Sequence, residues 1–458
     1  MSPTDADRPS DAEGVVRWLE RAGVRAVALP FVDPSAIVRV KTIPLARFVQ
    51  VTEGGVGLST LFNVAMSDDR FALREGFIDG PSGDLRLRPD PAATVPLVAM
   101  PGWAWAPVDQ YTQDGERFPA CPRAFAATAT AALARSGLSV RASFEPEFSV
   151  GIRDADDGFE PAHRGPGYSD IALVANHGFA LDLIVALEEQ GLSLQQFHPE
   201  YAEGQFELSI APRDPVAAAD AAMVLKQTVR AVARRHGWVT SFAPRVQADT
   251  GNGAHLHLSL WEGNRNLLAG GDGPAGMDAR GEAFVAGILQ ELPALVAIAA
   301  PTCASYLRLQ PHHWSGAMQC WGIENREASL RFIAGPTPST AAGANVEVTP
   351  VDGTANPYLA IGATLAAGLA GIEHGLRLPP STEEDPTLLS DEVLVARGVR
   401  QLPASLAEAA ERFAGSSVLH DAMGEFLFET FLATRRGEAE ACADLDDDEV
   451  IRRTRWRF

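Results

Sequence analysis

Apolar and polar positions along this chain recur with two different periods, and the switches between them mark its elements. Ser10, with Glu13 three residues on, stands ahead of Val15-Val16-Arg17-Trp18-Leu19, the pattern of a helix opened by a capping box, and Gly23 closes it. Val24 to Val32 and Ile37 to Val40 read as strands around a turn at Asp33-Pro34-Ser35. Asp84-Leu85-Arg86-Leu87-Arg88 alternates with period two before Pro89, again a strand. Residues 12–107 therefore read as a small domain of short strands with one clear helix. The polar, turn-rich stretch Gln110 to Pro122 reads as a linker into a second domain over 113–458.

In that second part a helix runs from Arg123 to Ser136, stopped by Gly137, and Ser139 to Val150 follows as a strand. Asp214-Pro215 supplies an N-cap and a first-turn proline for a long helix ending at His236-Gly237. Trp238 to Phe242 and Ala254 to Leu260 are strand-like, and Pro379 to Pro386 reads as an exposed acidic loop. From Pro403 onward the chain is mostly helical, with Leu406, Ala409, Ala410 and Phe413 on one face. Strands gathered in the middle with helices around them predict an α+β fold.

Composition narrows the class. The 458 residues are 46% hydrophobic and 21% charged, which gives ample core and excludes disordered, collagen-like and disulfide-scaffold chains. Asp and Glu number 59 against 38 Lys and Arg, and the net charge of −21 repels a phosphate backbone, so no nucleic acid partner is expected. Four scattered cysteines fit a reducing cytoplasm. Met1 to Asp11 lacks the basic and apolar regions of a signal peptide. The apolar run Leu359 to Ile372 falls short of the roughly 18 residues of a membrane span. A cytoplasmic protein with no membrane partner is the expectation.

Candidate chemistry lies on the strands. Within Ser143-Phe144-Glu145-Pro146-Glu147-Phe148 the two carboxylates share one face while Phe144 and Phe148 take the other. Like charges so placed repel unless a divalent cation lies between them, the alternative being a solvated strand face. His255, His257 and Ser259 similarly face away from Leu256, Leu258 and Leu260, after the loop Asp249-Thr250-Gly251-Asn252-Gly253. His198-Pro199-Glu200, Gly204-Gln205-Phe206-Glu207 and Glu347-Val348-Thr349-Pro350 add three carboxylates. Arg308, Arg326 and Arg331 suit phosphate or carboxylate recognition, or else surface ion pairs. No phosphate-binding glycine loop, dinucleotide fingerprint, nucleophile elbow or H-E-x-x-H occurs. The residues alone lead to an oxygen-rich metal site with arginines nearby, which a metal-dependent hydrolase would also present.

Taken in order, Phe144 to Phe148, His198-Pro199-Glu200 with Gly204 to Glu207, Gly251 to His257, Ser305-Tyr306-Leu307-Arg308-Leu309 and Ala355-Asn356-Pro357-Tyr358-Leu359 resemble the glutamine synthetase family, from about residue 12 to the C-terminus. The resemblance implies an N-terminal β-grasp domain and a catalytic domain with a curved antiparallel sheet flanked by helices. It also implies a homo-oligomer, a dodecamer of two rings, with active sites between chains. ATP and L-glutamate would be substrates, joined to an amine through γ-glutamyl phosphate. Glu147, Glu200 and Glu207 would hold one Mg²⁺ or Mn²⁺, and Glu145, His255 and Glu347 a second, two per active site. His257, Ser259 and Arg331 match positions on the ATP phosphates, Gly251 and Arg308 positions on glutamate, and Arg326 one beside the transferred phosphoryl group.

Departures from the family pattern concern the amine. Where ammonia-using members carry a flap glutamate, Pro311-His312-His313-Trp314-Ser315-Gly316 places Trp314. The family's Phe-Asp-Gly-Ser-Ser segment, contributed across the subunit interface, becomes Phe62-Asn63-Val64-Ala65-Met66, which makes Asn63 the candidate there. Losing two carboxylates argues against a buried ammonium, whereas an aromatic wall suits a carbon-bearing amine. Thr349 replaces an arginine on the glutamate side and Asn345 one on the ATP side. No tyrosine follows Tyr358, so adenylylation at the family's usual place is excluded. These changes resemble the γ-glutamylethanolamide and γ-glutamylpolyamine synthetase branch. A flap without a carboxylate for a second cation favours a small primary amine such as ethanolamine, with a polyamine next. Ammonia-using synthesis and a non-catalytic regulator are the alternatives.

Overall fold

The computed structural model describes residues 8–248, 251–337 and 340–458. Met1 to Asp7, within the stretch read for a leader, and Asp249-Thr250 of the loop before His255 lie outside the described residues. Helix Ala12–Arg21 opens the N-terminal part and buries Val15, Trp18 and Leu19. Its cap is Asp11 rather than Ser10, with the carboxylate accepting from Gly14 N–H at 2.8 Å. An anionic acceptor gains more at the positive helix end than a hydroxyl does, and Glu13 turns instead to Arg17 at 3.5 Å. Four strands in the order Val38–Pro44, Ala26–Val32, Trp103–Trp105 and Val95–Pro96 form one sheet, and Val56–Ser59, Asp84–Pro89 and Val108–Tyr111 form another. This grasp-like unit has an apolar cluster of its own around Leu29, Phe48 and Leu87.

The stretch read as a linker is packed. Gln110 pairs in strand Val108–Tyr111, and Phe118, Ala120 and Cys121 are buried, with the Phe118 ring 5.4 Å from that of Phe426. Its turn signals were real, but single apolar residues between them suffice to anchor it.

The larger part is organised by an eleven-stranded sheet. Its path runs Leu194–Pro199, Gln205–Ile210, Ser139–Arg153, Ala254–Glu262, Asn345–Val348, Ala328–Ile333, Met318–Ile323 and Arg400–Gln401. Every pairing is antiparallel except that of Ala328–Ile333 with Met318–Ile323. Helices Pro122–Arg135, Pro215–Arg235, Ala279–Ala299 and Pro357–Glu373 contribute to the common apolar core. Ala279–Ala299 and Pro357–Glu373 cross so closely that a Cβ on Gly287 would stand 2.2 Å from Ala367 O. Glycine is required there by backbone approach.

Among the described residues two helices, Asp170–Glu189 and Ala279–Ala299, are long and apolar enough to cross a membrane by length and composition. The apolar run noted in the sequence, inside Pro357–Glu373, is shorter than either. The most hydrophobic window of Ala279–Ala299 is 83% buried against the rest of the chain, the setting of a core helix. Apolar on most sides, both lack the one-sided stripe that marks an amphipathic helix.

Candidate active site

Register on the sheet brings distant carboxylates together. His255 lies opposite Glu145, Glu207 opposite both Glu147 and His198, and Glu347 opposite both His257 and Arg331. Because side chains alternate, these residues project to one face while Phe144, Phe148, Leu256 and Leu258 fill the core behind them. The face is the floor of a cavity of about 1350 Å³. All six proposed metal ligands, Glu145, Glu147, Glu200, Glu207, His255 and Glu347, line it.

Ligand atoms of Glu145, Glu207 and His255 lie within 4.8 Å of one another, and so do those of His198, Glu200 and Glu207. The sequence grouping differs, since it put Glu207 with Glu147 and omitted His198. His198 sits two residues before Glu200, so strand alternation alone was a signal for it. Its Nε2 lies 3.0 Å from Glu200 Oε1 and 3.5 Å from Glu207 Oε1.

The floor is electrostatically unbalanced by itself. Burial, then Glu145, Glu147, Glu200 and Glu347, push the Glu207 carboxyl up to about 10. Burial would also raise Glu145, but hydrogen bonding to His257 and the charges of His257, His255 and His198 bring it down to about 2. Burial disfavours a charged His257, yet Glu145 at 3.2 Å, Glu347 and Asn345 hold its pKa up to about 9. A carboxylate kept protonated by burial among four other acids is the condition a divalent cation relieves. The donor set, mostly carboxylate oxygens with imidazole, suits Mg²⁺ or Mn²⁺.

Arginines surround the floor. Arg308, on the helical turn Ser305–Arg308, is buried and donates to His255 Nε2 at 3.2 Å and Thr349 O at 3.4 Å. Gly253 permits this, since a Cβ there would meet Arg308 Nη2 and His255 Nε2 at 2.6 Å each. Arg331 bridges Glu347 at 3.0 Å and Glu324 at 2.8 Å. Arg326 lines the cavity with an exposed side chain. Gly251 and Thr349 also line it, although the Thr349 hydroxyl already lies 3.2 Å from Ala328 O and 3.3 Å from Glu347.

Three named residues stand outside the lining. Ser259 is buried and accepts from Trp261 Nε1 at 2.8 Å, one strand step beyond His257. Asn345 acts on the cavity through its 2.9 Å contact with His257 Nδ1. Asn63 lies in the N-terminal part, away from its own chain's cavity. It is 1% exposed, and its amide donates to Gln110 Oε1 at 2.8 Å and Ala120 O at 3.1 Å.

At the rim, Trp314 is 56% exposed and meets Tyr201 edge to face at 6.1 Å, across the cavity from its own loop. Tyr168 donates to Glu200 Oε1, and Glu203 lines the same rim. Glu327 holds the flap. It is buried, one oxygen accepts from Trp314 N–H at 3.1 Å and the other has no partner among the described residues. Burial, with Asp385 nearby, raises its pKa. Nothing local in the sequence relates Glu327 to a loop thirteen residues away. The acidic loop behind is tied in at Thr382, whose carbonyl accepts from Asn325 at 2.8 Å.

Residues 119–452 match the glutamine synthetase catalytic domain. Over 462 residues, 100% of this chain and 99% of the relative, the chain is 45% identical to gamma-glutamylpolyamine synthetase GlnA3 of Streptomyces coelicolor. It is 32% identical to the glutamine synthetase of Mycolicibacterium smegmatis, across 93% of this chain and 95% of that one. Among solved structures, a glutamine synthase homolog superposes with a TM-score of 0.84 at 35% identity, covering 95% of this chain and 99% of that one. A GmaS/ADP complex does so at 0.81 and 26%, covering 96% and 98%. Sheet, cavity and matched length agree, and this chain belongs to the glutamine synthetase family.

Proposed function

We propose that the protein joins the γ-carboxylate of L-glutamate to a carbon-bearing primary amine with ATP, and that the amine is an alkyl polyamine. The observation that carries this is the rim. Trp314 and Tyr201 offer aromatic faces for an alkylammonium, and Glu203 supplies an anion on the same lining. The flap itself has no carboxylate, which favoured ethanolamine on sequence grounds, but the turn after Glu200 provides one. The relative in Streptomyces coelicolor, named for polyamine glutamylation, supports the same choice. Ethanolamine is the second reading, because Glu203 is paired with Arg164 at 3.2 Å and a neutral hydroxyl would leave that pair undisturbed.

Glu145, Glu147, Glu200, Glu207, His255 and Glu347 would hold two Mg²⁺ or Mn²⁺ ions, whose chemistry is to neutralise the phosphates of ATP. His257 and Arg331 border that side, and Arg308 presents its guanidinium for the glutamate α-carboxylate. The γ-carboxylate oxygen attacks the γ-phosphorus, ADP leaves, and Arg326 offsets charge on the moving phosphoryl group. The neutral amine then attacks the acyl carbon, the C–O bond to phosphate breaks, and the proton shed by the nitrogen passes to the departing phosphate. Trp314 and Tyr201 exclude water from the acyl phosphate meanwhile.

Phosphate release with glutamate and ATP fixed, across ammonium, ethanolamine and putrescine, tests this. Turnover is expected with putrescine above ethanolamine and least with ammonium, and Trp314→Glu should shift preference toward ammonium. Equal use of ammonium by the unmodified protein would overturn the reading.

A further inference from the structure

Cys303 and Cys442 lie away from the cavity but next to each other. Cys303 stands just ahead of the turn Ser305–Arg308, and Cys442 ends the helix Ser417–Cys442. The Cys303 thiol donates to Glu438 O at 3.7 Å. In an α-helix that carbonyl belongs to the turn closed by the residue four on, which is Cys442. Both thiols are free and partly accessible. Each thiol acts on the other, lowering the Cys442 pKa and, with burial, raising that of Cys303, so Cys442 is the readier thiolate.

The surroundings show what such a link would join. Arg435 of the same helix donates to Pro301 O, to Pro34 O at 3.2 Å and to Ser35 Oγ at 3.0 Å. Glu438 accepts from Ser35 Oγ and Ser67 Oγ, each at 3.1 Å. The last turns of the helix thus clamp two N-terminal loops and the segment leading to Arg308. Cys121 and Cys320 are buried elsewhere and serve as internal controls.

We propose that Cys303 and Cys442 form a reversible disulfide site, oxidised by a hydroperoxide, that staples the C-terminal helix to the Arg308 segment. The Cys442 sulfur attacks a peroxide oxygen, the S–O bond forms, the O–O bond breaks, and the departing oxygen takes a proton to leave as water or an alcohol. The Cys303 sulfur then attacks the Cys442 sulfur, the S–S bond forms, and hydroxide leaves and is protonated to water. Two thiols and one peroxide give one disulfide, and a dithiol reverses it. In a reducing compartment such a bond is transient and sensing rather than structural.

The full-length protein treated with hydrogen peroxide, then alkylated after denaturation, provides the test. Two of four thiols should be protected, a peptide pair linking Cys303 to Cys442 should appear, and dithiothreitol should restore four alkylations. The melting temperature should rise by about 3 °C on oxidation. Cys442→Ser should abolish the link and the rise while leaving unoxidised turnover unchanged. Four alkylatable thiols after treatment, or links only between chains, would overturn the proposal.

Discussion

On the floor of the cavity, Glu145, Glu147, Glu207, His255 and Glu347 sit on strands whose partners are fixed residue by residue. At the rim, His312, His313 and Trp314 ride on a loop held by individual side-chain contacts. His312 meets Thr387 Oγ1 at 2.8 Å, His313 meets Arg245 at 2.8 Å, and Trp314 N–H meets Glu327 at 3.1 Å. His312 and Trp314 also adopt positive φ, 65° and 49°, which non-glycine residues take at a cost of about 1–2 kcal/mol. The contrast teaches a division of labour. A sheet holds charges that repel, which needs rigidity, while the rim loop that carries Trp314 is held by a few separate side-chain contacts.

The sharpest break of that comparison is at the floor. Glu207→Gln should lower turnover by roughly 10²–10³-fold, in line with losing a charge-stabilising group at a phosphoryl-transfer site. Because Glu207 is held up near 10 by burial and by its acidic neighbours, the substitution should also raise the melting temperature in chelator. It should shrink the gain the unmodified protein shows on adding Mg²⁺. Calorimetry with and without chelator measures both, and an unchanged Mg²⁺ gain would remove Glu207 from the metal site.

A smaller effect is expected at the rim. Glu327→Leu removes the acceptor of the Trp314 amide, worth about 1–3 kcal/mol when buried, so the amine KM should rise by about tenfold or more. The KM for ATP should stay within about twofold. Glu327→Gln keeps an oxygen for the amide and should behave like the unmodified protein. If Gln were as damaging as Leu, charge rather than the hydrogen bond would be the property that matters.

The smallest effect on chemistry separates a core residue from both regions. Asn63→Ala should leave turnover within about twofold and cost about 1–3 kcal/mol of stability, since Gln110 and Ala120 O lose their buried partner. A turnover loss of tenfold in a folded protein would return Asn63 to the site.

The sequence by itself determined the floor, because a strand's period of two converts spacing directly into a face. Glu145 with Glu147, and His255 with His257, needed only alternation to point together, and ordered segments supplied the family. Much of the fold was legible likewise: Pro215–Arg235 begins after the Asp214 cap, and Leu406, Ala409, Ala410 and Phe413 are the buried face of Leu406–Ala414. Only the tertiary structure decided which carboxylates share which neighbours, because strand register is set between segments a hundred residues apart. It also placed Asn63 in a buried hydrogen-bonded position, set His198 beside Glu200 and Glu207, and put Glu327 beneath the flap. Those contacts depend on packing between loops, where no periodicity exists to carry the information.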